Sequence, residues 1–290
     1  MLSIPSERHL DPVMLEILRH VDGVARDLAV DYFVVGATAR DILLTGVFGL
    51  SAGRATRDVD LAVAMKGWRE FEAMKARIVE TGAFRSDERI AQRLYYQPGS
   101  AGMGYPLDLI PFGGLERRGS AIAWPPDGAV VMNVAGYGET FASAVLVEVE
   151  PGFAVRVASL AGLAILKLVA WADRGAGDPR DASDLASLLR QYGTAGNEDR
   201  LYGAEIGVLE AVNYDFDLAG ARLLGMDAGR IAAPSTHGQI VGLLDDPARM
   251  DRLVLHVAQG LRTVQDALAE AGQLLAQFRA GFQEARLSQL

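Results

Sequence analysis

Three aspartates in apolar surroundings carry the densest chemical signal of the 290-residue chain. Asp58 and Asp60 sit in Thr56-Arg57-Asp58-Val59-Asp60-Leu61-Ala62-Val63, an alternating run that predicts a strand. Side chains alternate along a strand, so the two carboxylates point to one side. Such charges repel each other unless a cation lies between them, and oxygen-seeking Mg²⁺ suits them, above all with a phosphate-bearing substrate. The bland alternative is a solvated pair at a strand edge. Asp108 lies in the middle of Tyr105-Pro106-Leu107-Asp108-Leu109-Ile110-Pro111-Phe112. A charge there is costly unless it is paired or bound to metal. Either a nearby Arg salt-bridges it, or, with its strand beside that of Asp58, it completes a two-metal site.

Upstream, Asp31-Tyr32-Phe33-Val34-Val35-Gly36-Ala37-Thr38-Ala39-Arg40-Asp41 reads as an apolar strand that ends at Gly36, where a helix starts at once. A helix start offers free N–H groups and a positive end to a triphosphate, with Gly36 allowing close approach and Thr38 adding a hydroxyl. Two competing motifs are rejected. Gly49-Leu50-Ser51-Ala52-Gly53 has the spacing of a serine-hydrolase elbow but leads into another strand rather than a helix. Gly99 to Gly104 lacks the Lys-Ser/Thr end of a P-loop and reads as a hairpin turn.

The elements that must position these groups fall into two halves. Short apolar runs predict strands at Asp31–Val35, Val59–Val63, Leu94–Gln97, Leu107–Phe112, Val145–Val149 and Ala154–Val157, with helices at Pro12–Ala29, Ala37–Leu44 and Trp68–Thr81. Asp11-Pro12 is a good cap and first residue for the first helix. After Ser159 the strand signal stops. Helices are expected at Ser159–Arg174, Arg180–Tyr192, Leu201–Val212, Leu218–Leu224, Thr236–Leu244 and Pro247–Leu287. The fold class is therefore α/β (α+β), a mixed-sheet domain over 1–157 followed by a helical domain over 158–290. In the last helix Val254, Val257, Leu261, Val264, Leu268, Ala271, Leu275, Phe278 and Phe282 form a heptad stripe. It reads as a long helix packed along its own domain, with a dimer seam or partner groove as the alternative.

Together, the strand-Gly-helix, Asp-x-Asp and third aspartate resemble the nucleotidyltransferase superfamily to which DNA polymerase beta and the CCA-adding enzymes belong. The opening Val35-Gly36-Ala37-Thr38-Ala39-Arg40-Asp41-Ile42-Leu43-Leu44 is most similar to the CCA-adding branch. The chain departs from that pattern at Ala37, where the family has Gly or Ser, and in a longer Gly36–Asp58 segment, read as a loop insertion over Thr45–Ala55. A narrower resemblance, to the AbiEii/MenT group of nucleotidyltransferase toxins, rests on Leu160-Ala161-Gly162-Leu163-Ala164-Ile165-Leu166-Lys167-Leu168-Val169-Ala170-Trp171, then Arg174 and Pro179-Arg180-Asp181-Ala182-Ser183-Asp184-Leu185.

What the resemblance implies is Mg²⁺-dependent transfer of a nucleoside monophosphate from an NTP to an acceptor hydroxyl. Asp58, Asp60 and Asp108 would hold the metals. Gly36, Ala37, Thr38 and Arg40 would form the phosphate-side wall of the nucleotide site. Lys167 would contact phosphate from the helical domain and close the cleft, with Asp181, and less directly Asp184, completing the site. The toxin group implies the tRNA 3′ end as acceptor and a cognate antitoxin as partner. A small-molecule transferase acting on an antibiotic-type hydroxyl is the other enzymatic reading. A catalytically idle nucleotide-binding module is the non-enzymatic one. Ala37 favours idleness, whereas three mutually repelling carboxylates favour catalysis.

Composition removes other classes. The absence of Cys excludes thiolate metal sites, disulfides and a cysteine nucleophile, and His9, His20, His237 and His256 are too scattered for a zinc site. A net charge of −9 requires any RNA groove to be local. Lys66, Arg69, Lys75, Arg77, Arg85, Arg89 and Arg93 could supply one, but Glu70, Glu72, Glu80, Asp87 and Glu88 share their segment, so a solvated mixed face is expected. The start MLSIPSERHLDP lacks a signal-peptide layout, and the most apolar stretch, Ala158 to Ala172, is broken by Lys167 and shorter than the ~20 residues of a membrane span. The expectation is a cytoplasmic protein with no membrane partner.

Overall fold

The computed structural model describes Met1–Leu290 except residues 52, 54–55, 98, 100–103, 118, 175–176, 262–265 and 288–290, and the side chains of 286–287. The chain divides into two units: Met1–Gly49 with Arg54–Ala158, and Leu50–Gly53 with Ser159–Leu290.

The first unit contains β1 (Leu2–Ser3), α1 (Pro12–Leu28), β2 (Tyr32–Val34), α2 (Gly36–Asp41) running into a π-helical segment Ile42–Val47, β3 (Val59–Met65), α3 (Trp68–Glu80), β4 (Phe84–Ser86), β5 (Arg93–Tyr96), β6 (Tyr105–Gly113), β7 (Ala121–Ala123), β8 (Val131–Asn133), α4 (Tyr137–Ala142), β9 (Val145–Glu150) and β10 (Phe153–Val157). Eight strands form one mixed sheet in the order β1-β9-β10-β2-β3-β6-β5-β4, and β7 and β8 form a separate hairpin. The site depends on the middle of this order. β2 runs antiparallel to β3, β3 parallel to β6, and β6 antiparallel to β5. All six strands expected from alternation are present. The additional strands are two or three residues long, too short to show a period.

Local chemistry explains the helices that flank the sheet. Asp11 caps α1 by accepting from the Val13 N–H at 2.8 Å, Pro12 opens it, and Ala29 closes it in the left-handed region. Its Ile17, Leu18, Val21, Val24 and Ala25 share the buried face. On α4, Phe141 packs against Phe112 of β6 and Phe33 of β2, with ring centroids 5.6 and 5.5 Å apart. The π-helical segment ends on Arg8, whose Nη1 donates to the Val47 carbonyl at 2.7 Å.

The second unit is helical: α5 (Leu160–Arg174), α6 (Arg180–Gln191), α7 (Glu198–Leu201), α8 (Ile206–Glu210), α9 (Phe216–Ile231), α10 (Pro234–Leu244), α11 (Pro247–Gly260) and α12 (Ala267–Leu287). Two expectations are corrected here. The helix expected over Leu201–Val212 is two short ones, and a Cβ on Gly203, between them, would lie 2.7 Å from the Asp199 carbonyl. The long helix expected over Pro247–Leu287 is also two helices, α11 ending at Gly260, which lies so close to α6 that a Cβ would meet the Ser183 carbonyl at 2.9 Å. Within the stripe, Val257, Leu261, Ala271, Leu275, Phe278 and Phe282 are buried in their own unit, whereas Leu268 is exposed and Val264 lies outside the described residues. α9 and α12 cross through glycines: a Cβ on Gly225 would stand 2.1 Å from the Phe278 carbonyl, and one on Gly281 2.0 Å from that of Arg222.

A partly buried network ties α9 to the preceding segment. The Tyr192 hydroxyl donates to Asp227 at 2.6 Å, and Arg200 forks both Asp227 oxygens at 2.7 and 3.0 Å. Leu50–Gly53 belongs to this unit, where Gln191 Nε2 donates to the Ser51 carbonyl at 2.8 Å. Thus the segment read as a loop insertion begins as π-helix, and part of it packs with the helical unit. Of the Gly99–Gly104 turn only Gly99 and Gly104 are described; the strands it joins, β5 and β6, are antiparallel neighbours. Among the described residues no helix is long and apolar enough to cross a membrane.

Candidate active site

β3 begins at Val59, so Asp58 is the exposed residue just before the strand and Asp60 its second residue. Val59, Leu61 and Val63 fill the core side, and the two aspartates take the other parity. Val35 N–H donates to the Asp60 carbonyl at 3.0 Å, fixing the end of β2 against the head of β3. Gly36 follows with φ +64°, and a Cβ there would stand 2.2 Å from Asp60 Oδ2 and 2.9 Å from its Cγ. The close approach that this glycine permits is therefore to a site carboxylate of its own chain.

Thr38 is reassigned by the structure. It is fully buried; its hydroxyl donates to the Asp58 carbonyl at 2.9 Å and accepts from the Asp60 N–H at 3.4 Å. Thr38 thus staples α2 to the Asp58–Asp60 backbone, and its oxygen is engaged within the protein rather than facing a triphosphate. Arg40, expected on the nucleotide side, is 2 % exposed and pairs through Nε and Nη2 with Asp41 Oδ1 at 2.9 and 2.7 Å. What remains for an anion is the first turn of α2, where the N-cap residue Val35 makes no side-chain cap bond and Ala37 is partly exposed. Thr56 steadies the other flank by accepting from the Asp58 N–H at 3.2 Å.

Asp108 lies directly opposite Asp60 in the parallel β3–β6 register. It is also directly opposite Arg93 in the antiparallel β5–β6 register. Arg93 Nε donates to Oδ1 and Nη2 to Oδ2, both at 2.7 Å. Of the two sequence alternatives, the Arg pairing is therefore present in the structure. The hydrogen bond to Asp108 holds the guanidinium above its ordinary value despite burial, and the charges of Asp108 and Asp58 add to this. Among the described residues no three His, Asp or Glu side chains converge as a ready metal cluster. The donor set of Asp58, Asp60 and Asp108 is all carboxylate oxygen, which fits a hard divalent ion in chemistry, although Asp108 has both oxygens on Arg93.

Arg93 is the residue that sequence reasoning missed, grouped as it was with a solvated face. Three other cations of that segment serve local contacts: Lys75 Nζ donates to the Ala91 carbonyl at 2.6 Å, Arg77 pairs with Glu80 at 2.9 Å, and Arg85 Nε donates to Gln97 at 2.8 Å.

In the helical unit, Lys167 and Asp181, which the resemblance assigns to one site, lie together, and Asp184 joins them. Lys167 Nζ donates to Asp181 at 3.1 Å and to Asp184 at 2.5 Å, while Arg174 Nη1 reaches the other Asp181 oxygen at 2.6 Å. Burial pulls the Lys167 ammonium down, but the charges of Asp184 and Asp181 outweigh it and keep it above its ordinary value. Asp181 is 3 % exposed, so it and Lys167 form a buried pair, which Arg174 joins from the solvent side.

The β2–Gly36–α2 turn, the carboxylates at the head of β3 and the in-register β6 carboxylate form one candidate site, and the family profile makes the protein a nucleotidyltransferase. The sequence profile of the family described as "Nucleotidyl transferase AbiEii toxin, Type IV TA system" matches residues 24–229, more than half of the chain. The chain belongs to this family. No curated protein sequence matches it. Solved structures similar to it include the antibiotic-resistance factor ANT(2'')-Ia (16% identity, 71% of this chain and 99% of that one, TM-score 0.37). An antigenic nucleotidyltransferase-like protein from Paracoccidioides brasiliensis aligns at 14% identity over 70% of this chain and 94% of that one, TM-score 0.42. The Thermotoga maritima CCA-adding enzyme complexed with tRNA aligns at 10% identity over 97% and 83%, TM-score 0.32. Likenesses of this order add nothing to the assignment, which rests on the family profile.

Proposed function

We propose that the protein moves a nucleoside monophosphate from an NTP to the 3′ end of tRNA, with Mg²⁺ held by Asp58, Asp60 and Asp108. The observation that carries this reading is the cross-strand juxtaposition of Asp60 and Asp108 beside the Gly36 turn. When bound there, Mg²⁺ would neutralise the charge that develops on the triphosphate during transfer. The chain's own residues supply the rest. Backbone amides at the start of α2 seat phosphate oxygens. Thr38 and Arg40 hold that turn and the Asp58–Asp60 backbone in place, as positioning residues rather than ligands. Lys167 and Asp181 are assigned to the same reaction on the strength of the family motif.

Membership of a family described as a type IV toxin supports growth arrest as the biological outcome and a cognate antitoxin as its counterweight. The test is incubation of the purified chain with each α-labelled NTP, Mg²⁺ and total tRNA. Label is expected in RNA with the wild type and absent with Asp60→Asn and Asp58→Asn. Transfer retained by either variant would remove the metal-site assignment. Label found only on a small hydroxyl acceptor would replace tRNA as the substrate.

A further inference from the structure

Arg93, Asp108 and Asp60 occupy one cross-strand row on β5, β6 and β3, because Asp108 is the direct register partner of both others. Side chains of directly paired residues share a face, so a guanidinium and two carboxylates are built into the same level of the sheet. Both oxygens of Asp108 are engaged by the Arg93 fork at 2.7 Å. The pair is only 23 % and 15 % exposed, so it is not a screened surface contact.

A carboxylate forked at both oxygens gives one to a divalent ion only by surrendering a charge-assisted hydrogen bond. We propose that Arg93 is a positioning residue that withholds Asp108 from metal until a nucleotide triphosphate offers the guanidinium another anionic partner. The inference rests on the metal-dependent transfer reading above and adds an order to it: nucleotide and metal assist each other through Arg93. Guanidinium forks match phosphate as well as carboxylate, which makes the triphosphate a suitable second partner. Charge gives the sign of the effect. The guanidinium is one positive charge held beside the carboxylates that a cation would need. Removing Arg93 therefore strengthens metal binding in the absence of nucleotide, whereas a merely structural role would weaken it by loosening Asp108.

The experiment titrates the full chain with Mn²⁺, reading free ion by electron paramagnetic resonance, with and without a non-hydrolysable NTP analogue. Nucleotide is expected to tighten Mn²⁺ binding in the wild type. Arg93→Gln is expected to tighten nucleotide-free binding at least threefold and to shrink the enhancement by nucleotide, since the coupling is reciprocal. Asp108→Asn in that background should cancel the gain. Arg93→Lys, which keeps the charge without the fork, should fall between, and it carries the test if Arg93→Gln does not melt cooperatively. Unchanged or weaker nucleotide-free Mn²⁺ binding in the folded variants would overturn the proposal alone. Absence of Mn²⁺ binding to the wild type even with the analogue would overturn the transferase metal site, and the role of Arg93 with it.

Discussion

Replacing Gly36 with alanine tests the geometry of the site at one atom. The residue sits at φ +64°, and the added Cβ would lie 2.2 Å from Asp60 Oδ2, 2.9 Å from its Cγ and 3.0 Å from its Cβ. Two costs follow. The left-handed backbone costs a residue with a Cβ about 1–2 kcal/mol. Asp60 must also rotate away from the methyl, and an off-rotamer side chain costs on the order of 0.5–1.5 kcal/mol. Gly36→Ala should therefore destabilise the first unit by about 2–3 kcal/mol. Urea unfolding followed by circular dichroism should show a lower midpoint with an unchanged slope. The second cost depends on the carboxylate, so Asp60→Ala should recover roughly 1 kcal/mol of the loss in a double-mutant cycle. A loss below about 0.5 kcal/mol, or one of the same size with and without the Asp60 carboxylate, would refute the packing described here.

Three other expectations come from the helical unit. Gly281→Ala places a methyl 2.0 Å from the Arg222 carbonyl and should cost about 2–3 kcal/mol through overpacking, whereas Gly272→Ala on the same helix meets nothing within 4 Å and should stabilise by up to about 1 kcal/mol; paired thermal melts compare the two. Lys167→Met removes the cation that the buried Asp181 shares with Asp184, so a loss of about 3–5 kcal/mol is expected, and a melt within about 1 kcal/mol of wild type would contradict this buried pairing. Burial alone would raise the Asp227 carboxyl, but hydrogen bonds from Arg200 and Tyr192 hold it below its ordinary value. Its contribution to stability is therefore present above the unfolded value of about 4 and lost as pH falls through the lower folded value. Asp227→Asn should flatten the acid limb of stability against pH, and an unchanged limb would exclude this network as its source.

The parts of the site that were legible in sequence are those where one residue type conflicts with its surroundings. A charge amid Leu107, Leu109 and Ile110 marks Asp108 without any knowledge of the fold, and the Val59–Val63 alternation does the same for Asp60. Arg93 was not legible, because what distinguishes it from Arg77 or Arg85 is strand register, a property of the assembled sheet. Thr38 shows a related limit: a hydroxyl after Gly36 looks the same whether it faces a phosphate or the backbone of the next strand. The long last helix failed for another reason. The three-four spacing of apolar residues continues past Gly260, while the chain does not continue as helix there, and that glycine serves a close approach to α6. Periodicity reports which side of a helix is covered, not where the helix is interrupted.

The central claim, nucleotidyl transfer to RNA by the carboxylates of β3 and β6, is tested most directly by sequencing tRNA 3′ ends after incubation with the purified chain, Mg²⁺ and NTPs. Added nucleotides at the 3′ terminus with the wild type, and unmodified ends with Asp60→Asn folded to the same extent, are the expected result. Unmodified ends with both proteins, or identical extension by both, would contradict it.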